Sequence, residues 1–266
     1  MEILEETLHG VAVADPYRWL EDESSPETES WVRKQSAYSR SVLDALPDRA
    51  RIRQRLTEVL GTGSLTRPEE AAGQYFYSKK QGDQNQPVVY IRKGVNGKDR
   101  VLIDPNELSK DGTVTVDWFS PAQDGRLLAY GMSSGGTETS DLHIIEVDSG
   151  ESVGQPIPRV RWTNPQWLKD GSGFYYTRPR EPEGIGPGEE VYHRRVFFHQ
   201  LGATWSEDKL IYGEELKKEE MPDAMLSPDE RYLLIDVFMG WGKNRLYVKD
   251  PRRGRIITIA DDGKSS

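Results

Sequence analysis

Two hydrophobic periodicities divide the chain. Over the first ~65 residues apolar side chains recur at helical spacing, and from Ala71 onward they alternate with polar ones. Ser25 is suited to cap a helix, with Pro26 at its first position and Glu27 and Glu29 near its positive end. Trp31, Tyr38, Val42 and Ala45 then mark one apolar face, and Pro47 ends it. Asp48 is placed to cap a second helix carrying Ile52, Leu56, Val59 and Leu60, with Gly61 as its stop. Ahead of both lies an extended lead-in, whose Tyr17, Trp19 and Leu20 read as a strap buried against another domain. A boundary is expected within Thr62–Pro68, giving a helical part, 1–66, and a strand-rich part, 67–266.

The second part reads as short strands between turns. Gln74–Ser78, Pro87–Arg92 and Arg100–Asp104 come first, then Arg126–Met132 and Leu142–Val147. Gln166–Tyr176, Val191–Gln200, Lys209–Gly213, Met225–Val237, Leu246–Asp250 and Arg255–Ala260 follow. A tight turn recurs at Gly73, Gly125, Gly171 and Glu230, separated by 52, 46 and 59 residues. About four strands every ~40–50 residues is the signature of propeller blades. The long third interval is absorbed by Pro179–Glu190, rich in Pro, Gly and Glu, which reads as an exposed loop. Four blades ending on a ragged Asp262–Ser266 leave edges that a closed ring would bury. The expectation is a mainly β, partial β-propeller, part of a larger ring.

Charge and composition narrow the function. Lys+Arg 35 against Asp+Glu 44 gives a net charge of −9, the wrong sign for phosphate backbones or anionic membranes. No apolar run approaches the ~20 residues that span a bilayer. Neither a basic start nor an apolar core of a secretory leader is visible in the first residues. Cysteine is absent, so thiol nucleophiles, disulfides and zinc thiolates are excluded, which suits a reducing compartment and a cytoplasmic location.

Few residues carry candidate chemistry. Gly131-Met132-Ser133-Ser134-Gly135 matches G-x-S-x-G, the nucleophile elbow of serine hydrolases. That elbow needs a helix after the strand, and Gly136-Thr137-Glu138-Thr139-Ser140 will not start one. Ser133 therefore reads as part of a hairpin turn. His193 and His199 would lie roughly 20 Å apart along a strand, too far to share a metal. His143, between Leu142 and Ile144, reads as an ordinary strand histidine. Gly263-Lys264-Ser265 lacks the rest of a phosphate loop, and the pairs Asp261-Asp262 and Glu189-Glu190 read as solvated turns. No catalytic residue, metal site or cofactor site is expected.

Motifs in register point to a family. Asp15–Asp22 (DPYRWLED), followed by Trp31-Val32, resembles the N-terminal signature of the prolyl oligopeptidase family of serine peptidases. Tyr75-Phe76-Tyr77 with Gln84-Asn85-Gln86, Leu102–Asn106 with Asp111-Gly112-Thr113, Trp167–Tyr176, and His199–Gly202 with Glu207-Asp208 are similar to its blades in order. The resemblance implies a seven-bladed propeller over an α/β-hydrolase domain, with the N-terminal helical segment packed on that domain. About four of the seven blades would lie here. The triad Ser, His and Asp would lie in the hydrolase domain, so the resemblance gives this chain no catalytic residue. It implies cleavage of short proline-containing peptides after proline, the propeller acting as a size filter with Pro182–Glu190 in its rim. Two rivals are an oligopeptidase B-like peptidase cutting after basic residues and a non-catalytic propeller that binds a protein partner. The family's Gly-Ser-Asp-Trp is replaced by Gly136-Thr137-Glu138-Thr139, and a cavity-lining aromatic of some relatives would fall at Ile144. Ile144 is thus a substrate-contact candidate, against plain core packing.

Overall fold

A computed structural model describes residues 3–82, 84–181, 185–186, 188–240, 242–250 and 252–261. The chain forms two compact units, Met1–Thr62 and Gly63–Ser266.

The first unit opens with an antiparallel hairpin, β1 (Leu4–Leu8) and β2 (Val11–Asp15). The Asp15–Asp22 motif follows directly, and its polar residues explain its shape. Asp15 accepts hydrogen bonds from the Tyr17 N–H and the Arg18 Nε, both at 2.9 Å. Arg18 also reaches Glu6 of the hairpin at 2.9 Å. The Tyr17 amide, then the Arg18 side chain, hold the Asp15 carboxyl below its ordinary range. The aromatic residue at 19 meets helix α1 (Pro26–Asp44), with Trp19 edge-on to Trp31 at 6.2 Å. Ser25 caps α1 as expected, accepting from the Thr28 N–H at 3.1 Å. Asp48 does not cap α2 (Arg49–Leu60). Its own backbone is helical (φ −86°, ψ −4°) rather than extended, and its carboxylate pairs with Arg51 at 3.2 Å instead. Trp31, Tyr38, Ile52 and Leu56 are exposed.

The second unit is four antiparallel sheets in sequence order. The first holds β3 (Ser64–Leu65), β4 (Glu69–Ala71), β5 (Gln74–Lys80), β6 (Val88–Lys93) and β7 (Asp99–Ile103). Residues 64–65, assigned to the helical part from sequence, pair with Lys79 and Lys80 and so belong to this sheet. A short helix, α3 (Pro105–Leu108), leads to the second sheet: β8 (Thr115–Pro121), β9 (Leu127–Ser133) and β10 (Asp141–Glu146). Only isolated bridges, Leu142 to Ile157 and Ile145 to Ser152, stand where a fourth strand would run. The third sheet is β11 (Gln166–Trp167), β12 (Gly173–Pro179), β13 (Arg194–Gln200) and β14 (Lys209–Tyr212). The fourth is β15 (Met221–Leu226), β16 (Leu233–Phe238), β17 (Asn244–Lys249) and β18 (Ile256–Ala260). Strand β13 starts three residues later than Val191, because His193 takes a left-handed backbone (φ +58°) that breaks the extended run.

Alternation along each strand builds the core between sheets. Leu128 and Tyr130 face the first sheet with Phe76, Val89 and Ile91. Their neighbour Ala129 faces the third, with Leu142, Ile144, Phe174 and Tyr176. Tyr175 and Val196 then face Leu233 and Ile235 of the fourth. Each sheet thus lends one side to each neighbour, which is how propeller blades bury apolar surface in thin layers.

The recurrent turn has one mechanism in three sheets. Asp124, Asp170 and Asp229 each accept a hydrogen bond from the N–H two residues on, at 2.9, 2.9 and 3.1 Å. The residue after each aspartate needs positive φ: Gly125 (+70°), Gly171 (+69°) and Glu230 (+58°). Glutamate tolerates this at some backbone cost, offset by its side chain. Glu230 Oε1 accepts the Lys169 N–H of the preceding sheet at 2.5 Å. Gln74 likewise donates to the Gly125 carbonyl across the first and second sheets at 3.0 Å.

Candidate functional site at the rim of the second and third sheets

Ser133 is the last residue of β9, and a loop, not a helix, leads from it to β10. Its hydroxyl is buried with no hydrogen-bond partner among the described residues, so nothing there could take its proton. Gly131 of the same motif has a packing reason. A Cβ there would stand 2.3 Å from the Trp118 indole. Ile144 pairs with Ala129 across β9 and β10 and is 5% exposed within the core shared with the third sheet.

The histidines are dispersed. His143 stacks on Tyr130 at 5.2 Å, and burial pushes its pKa down against the pull of Asp141. His193 meets Glu189 at 3.0 Å, at the far end of β13 from His199. His199 meets Asp208 at 2.8 Å, and Asp208 accepts the Tyr176 hydroxyl at 2.7 Å. This trio sits inside the third sheet without room for a substrate: the His199 and Asp208 side chains are 5% and 1% exposed. It belongs to the sheet's own wiring. Burial pushes the Tyr176 hydroxyl far up, so it stays a proton donor. No group of three His, Asp or Glu side chains suited to a metal occurs among the described residues. Residues 182–184 and 187 of the expected rim loop and 262–266, with Asp262 and Gly263-Lys264-Ser265, lie outside the described residues.

The structure instead gathers unusual groups on the linker between the second and third sheets. Arg159 (φ +59°) and Trp162 (φ +51°) both have left-handed backbones, which cost a side-chain-bearing residue roughly 1 kcal/mol each. Trp162 is nevertheless 61% exposed. The Arg161 guanidinium lies over its indole at 3.9 Å and pairs with Glu138 from the loop after β9. Linker and sheets are tied from both sides. The Val160 N–H donates to the Ser140 carbonyl at 2.7 Å and the Arg159 N–H to Asp141 at 3.2 Å. Thr163 Oγ1 accepts the Thr177 N–H at 2.9 Å.

Two buried arginines complete the rim. Arg178 donates to the Tyr176 hydroxyl at 3.1 Å and to Glu181 at 2.5 Å, and its guanidinium lies 4.5 Å from the Phe197 ring. Burial works against its charge, but Tyr176 and Glu181 hold its pKa above the ordinary value. Arg194 is 5% exposed, and burial pulls its pKa down to about 10. A strained, solvent-facing tryptophan braced by an ion-paired arginine is a preformed aromatic platform. Sequence reasoning missed Trp162, because nothing in Arg161-Trp162-Thr163-Asn164 marks a left-handed tryptophan. Pro165, ending that linker, is its only local signal.

Four consecutive antiparallel sheets, each lending one face to the next, define a β-propeller-bearing protein. The model of the prolyl oligopeptidase N-terminal β-propeller domain matches residues 3–264, and the chain belongs to that family. It is 30% identical over 245 residues to a prolyl endopeptidase of Elizabethkingia meningoseptica, covering 92% of this chain and 35% of that protein. It is 26% identical over 289 residues to prolyl oligopeptidase A of Amanita bisporigera, covering 98% of this chain and 36% of that protein. A solved structure from a study of two prolyl endopeptidases superposes with a TM-score of 0.90 at 33% identity, covering 99% of this chain and 39% of that one. The chain thus spans about a third of the length of the curated relatives it matches, their N-terminal propeller part. Among the described residues no helix is long and apolar enough to cross a membrane.

Proposed function

We propose that this chain is the N-terminal and propeller part of a serine endopeptidase that cleaves short peptides after proline. The observation that carries this reading is the family match along residues 3–264. Acyl transfer would be performed by a serine activated by a histidine in an α/β-hydrolase domain outside this sequence. The exposed apolar faces of α1 and α2, with Trp31, Tyr38, Ile52 and Leu56, suit packing on that domain. The propeller would admit an extended peptide and turn away a folded one. In keeping with a sequence that contains no cysteine, the enzyme would work in the cytoplasm.

Trp162 supplies the propeller's contact with the peptide in this reading. A proline-containing segment is already extended and stiff, and it docks on aromatic faces at low entropic cost. Ile144 would act only through the packing of β10, since its side chain is buried in the core. Trp162→Ala should weaken binding of an acetylated, amidated octapeptide with a central proline by about tenfold, as loss of an aromatic anchor does. Titration of the peptide into both proteins checks this. Equal dissociation constants would remove Trp162 from the contact surface.

A further inference from the structure

Trp162 stands in a backbone conformation that its own side chain disfavours, so something must hold it there. The linker's Val160 N–H is tied to the Ser140 carbonyl, Thr163 Oγ1 accepts from both the N–H and the hydroxyl of Thr177, and Arg159 bonds to Asp141, the Arg180 carbonyl and Glu181. The Arg161 and Trp162 carbonyls are held differently, by one guanidinium. Arg194, the first residue of β13, donates through Nη1 to the Arg161 carbonyl. Through Nη2 it donates to the Trp162 carbonyl and to Thr177 Oγ1, each at 2.7 Å. The side chain is buried, and its hydrogen bonds go to oxygens of the linker and of β12. The Asp223 carboxylate supports its charge electrostatically, without a direct hydrogen bond. The planar fork matters: two nitrogens reach two successive carbonyls, which a single ammonium cannot do in the same geometry.

We infer that Arg194 is the positioning residue for Trp162, fixing the left-handed linker so that the indole faces outward on the rim of the second and third sheets. The Arg194 side chain is itself buried. Its effect on peptide selection passes through the Trp162 backbone, and that part of the inference rests on the peptide-contact reading of Trp162. Without the fork, the Arg161 and Trp162 carbonyls lose their shared donor. The linker then relaxes toward extended backbone, and the Arg161–Trp162 stack is no longer presented in one orientation.

The test joins two readouts on the full chain carrying Arg194→Met. Amide exchange of 159–163 should accelerate at least tenfold, while β9 (Leu127–Ser133) keeps its wild-type rates and shows the variant folded. The affinity for the same proline octapeptide should fall as far as in Trp162→Ala, and the double variant should bind no more weakly than either single one. Arg194→Lys keeps the charge without the fork. It should resemble Arg194→Met, and it takes that variant's place if the methionine protein does not fold. Unchanged exchange of the linker in a folded variant would overturn the inference. So would a double variant whose affinity loss is the product of the two single losses. Faster linker exchange with full affinity in Trp162→Ala would uphold Arg194 as the positioning residue and sink the peptide-contact reading.

Discussion

Phe174→Ala should cost about 3–5 kcal/mol of stability, the range for deleting a buried aromatic ring. Phe174 is fully buried in β12, where its ring is the centre of the core shared by the second and third sheets. Its centroid lies 4.8 Å from Trp167, 5.3 Å from His199 and 5.6 Å from Tyr176. Trp167 in turn donates its indole N–H to the Ser120 carbonyl of the second sheet at 3.1 Å. Removing the ring opens a void that stiff cross-strand neighbours cannot fill, and it frees the tryptophan that bridges the two sheets. Domains are stable by only about 5–15 kcal/mol, so this one substitution should remove a large share of the total. Urea unfolding followed by circular dichroism gives the midpoint and slope. Val95→Ala, at a side chain 71% exposed, is the control and should stay within about 0.5 kcal/mol of wild type. A loss below about 1 kcal/mol for Phe174→Ala would mean that the two sheets repack freely.

Gly131→Ala should cost about 3 kcal/mol, the upper part of the range for overpacking a core. The reason is not backbone freedom, since Gly131 is not among the residues with positive φ. It is the Trp118 ring, whose Cε2 and Nε1 would both lie 2.3 Å from the new Cβ. Trp118 and Gly131 are directly opposed in β8 and β9, so the ring cannot slide aside without disturbing the pair. A smaller ring should relieve the clash. Trp118 Nε1 has no hydrogen-bond partner among the described residues, so Trp118→Phe sacrifices packing but no hydrogen bond. Gly131→Ala combined with Trp118→Phe should therefore be less destabilised than the sum of the two single changes. The urea midpoints of the four proteins close that double-mutant cycle. Full additivity would show that the indole is not what excludes a side chain at 131.

Much of the fold was legible because the strands report their own alternation. Leu128, Ala129 and Tyr130 alternate between two neighbouring cores, as the period of two requires. The recurrent Asp-Gly turn could be read through Glu230, since an aspartate cap and a positive-φ position leave the same local pattern when glycine is absent. Two local details were not legible. Asp48 has the right residue type for a cap but a helical backbone, which only the preceding turn determines. His193 sits in an apparently continuous strand but breaks it with positive φ, helped by its contact with Glu189. The candidate site was barely legible at all. Trp162, Arg178 and Arg194 lie in three separate stretches of sequence, and their meaning comes from the contacts that folding creates. Even the one motif with catalytic wording, around Ser133, owes its first glycine to an indole thirteen residues earlier in the chain.

The central claim is that this chain supplies the peptide-admitting propeller and not the nucleophile. Its most direct test is the release of nitroaniline from a blocked Gly-Pro-nitroanilide substrate by the purified 266-residue chain, beside its Ser133→Ala variant. Both proteins should release nitroaniline no faster than buffer. Turnover by the unmodified chain that Ser133→Ala abolishes would contradict the account and restore Ser133 as a nucleophile.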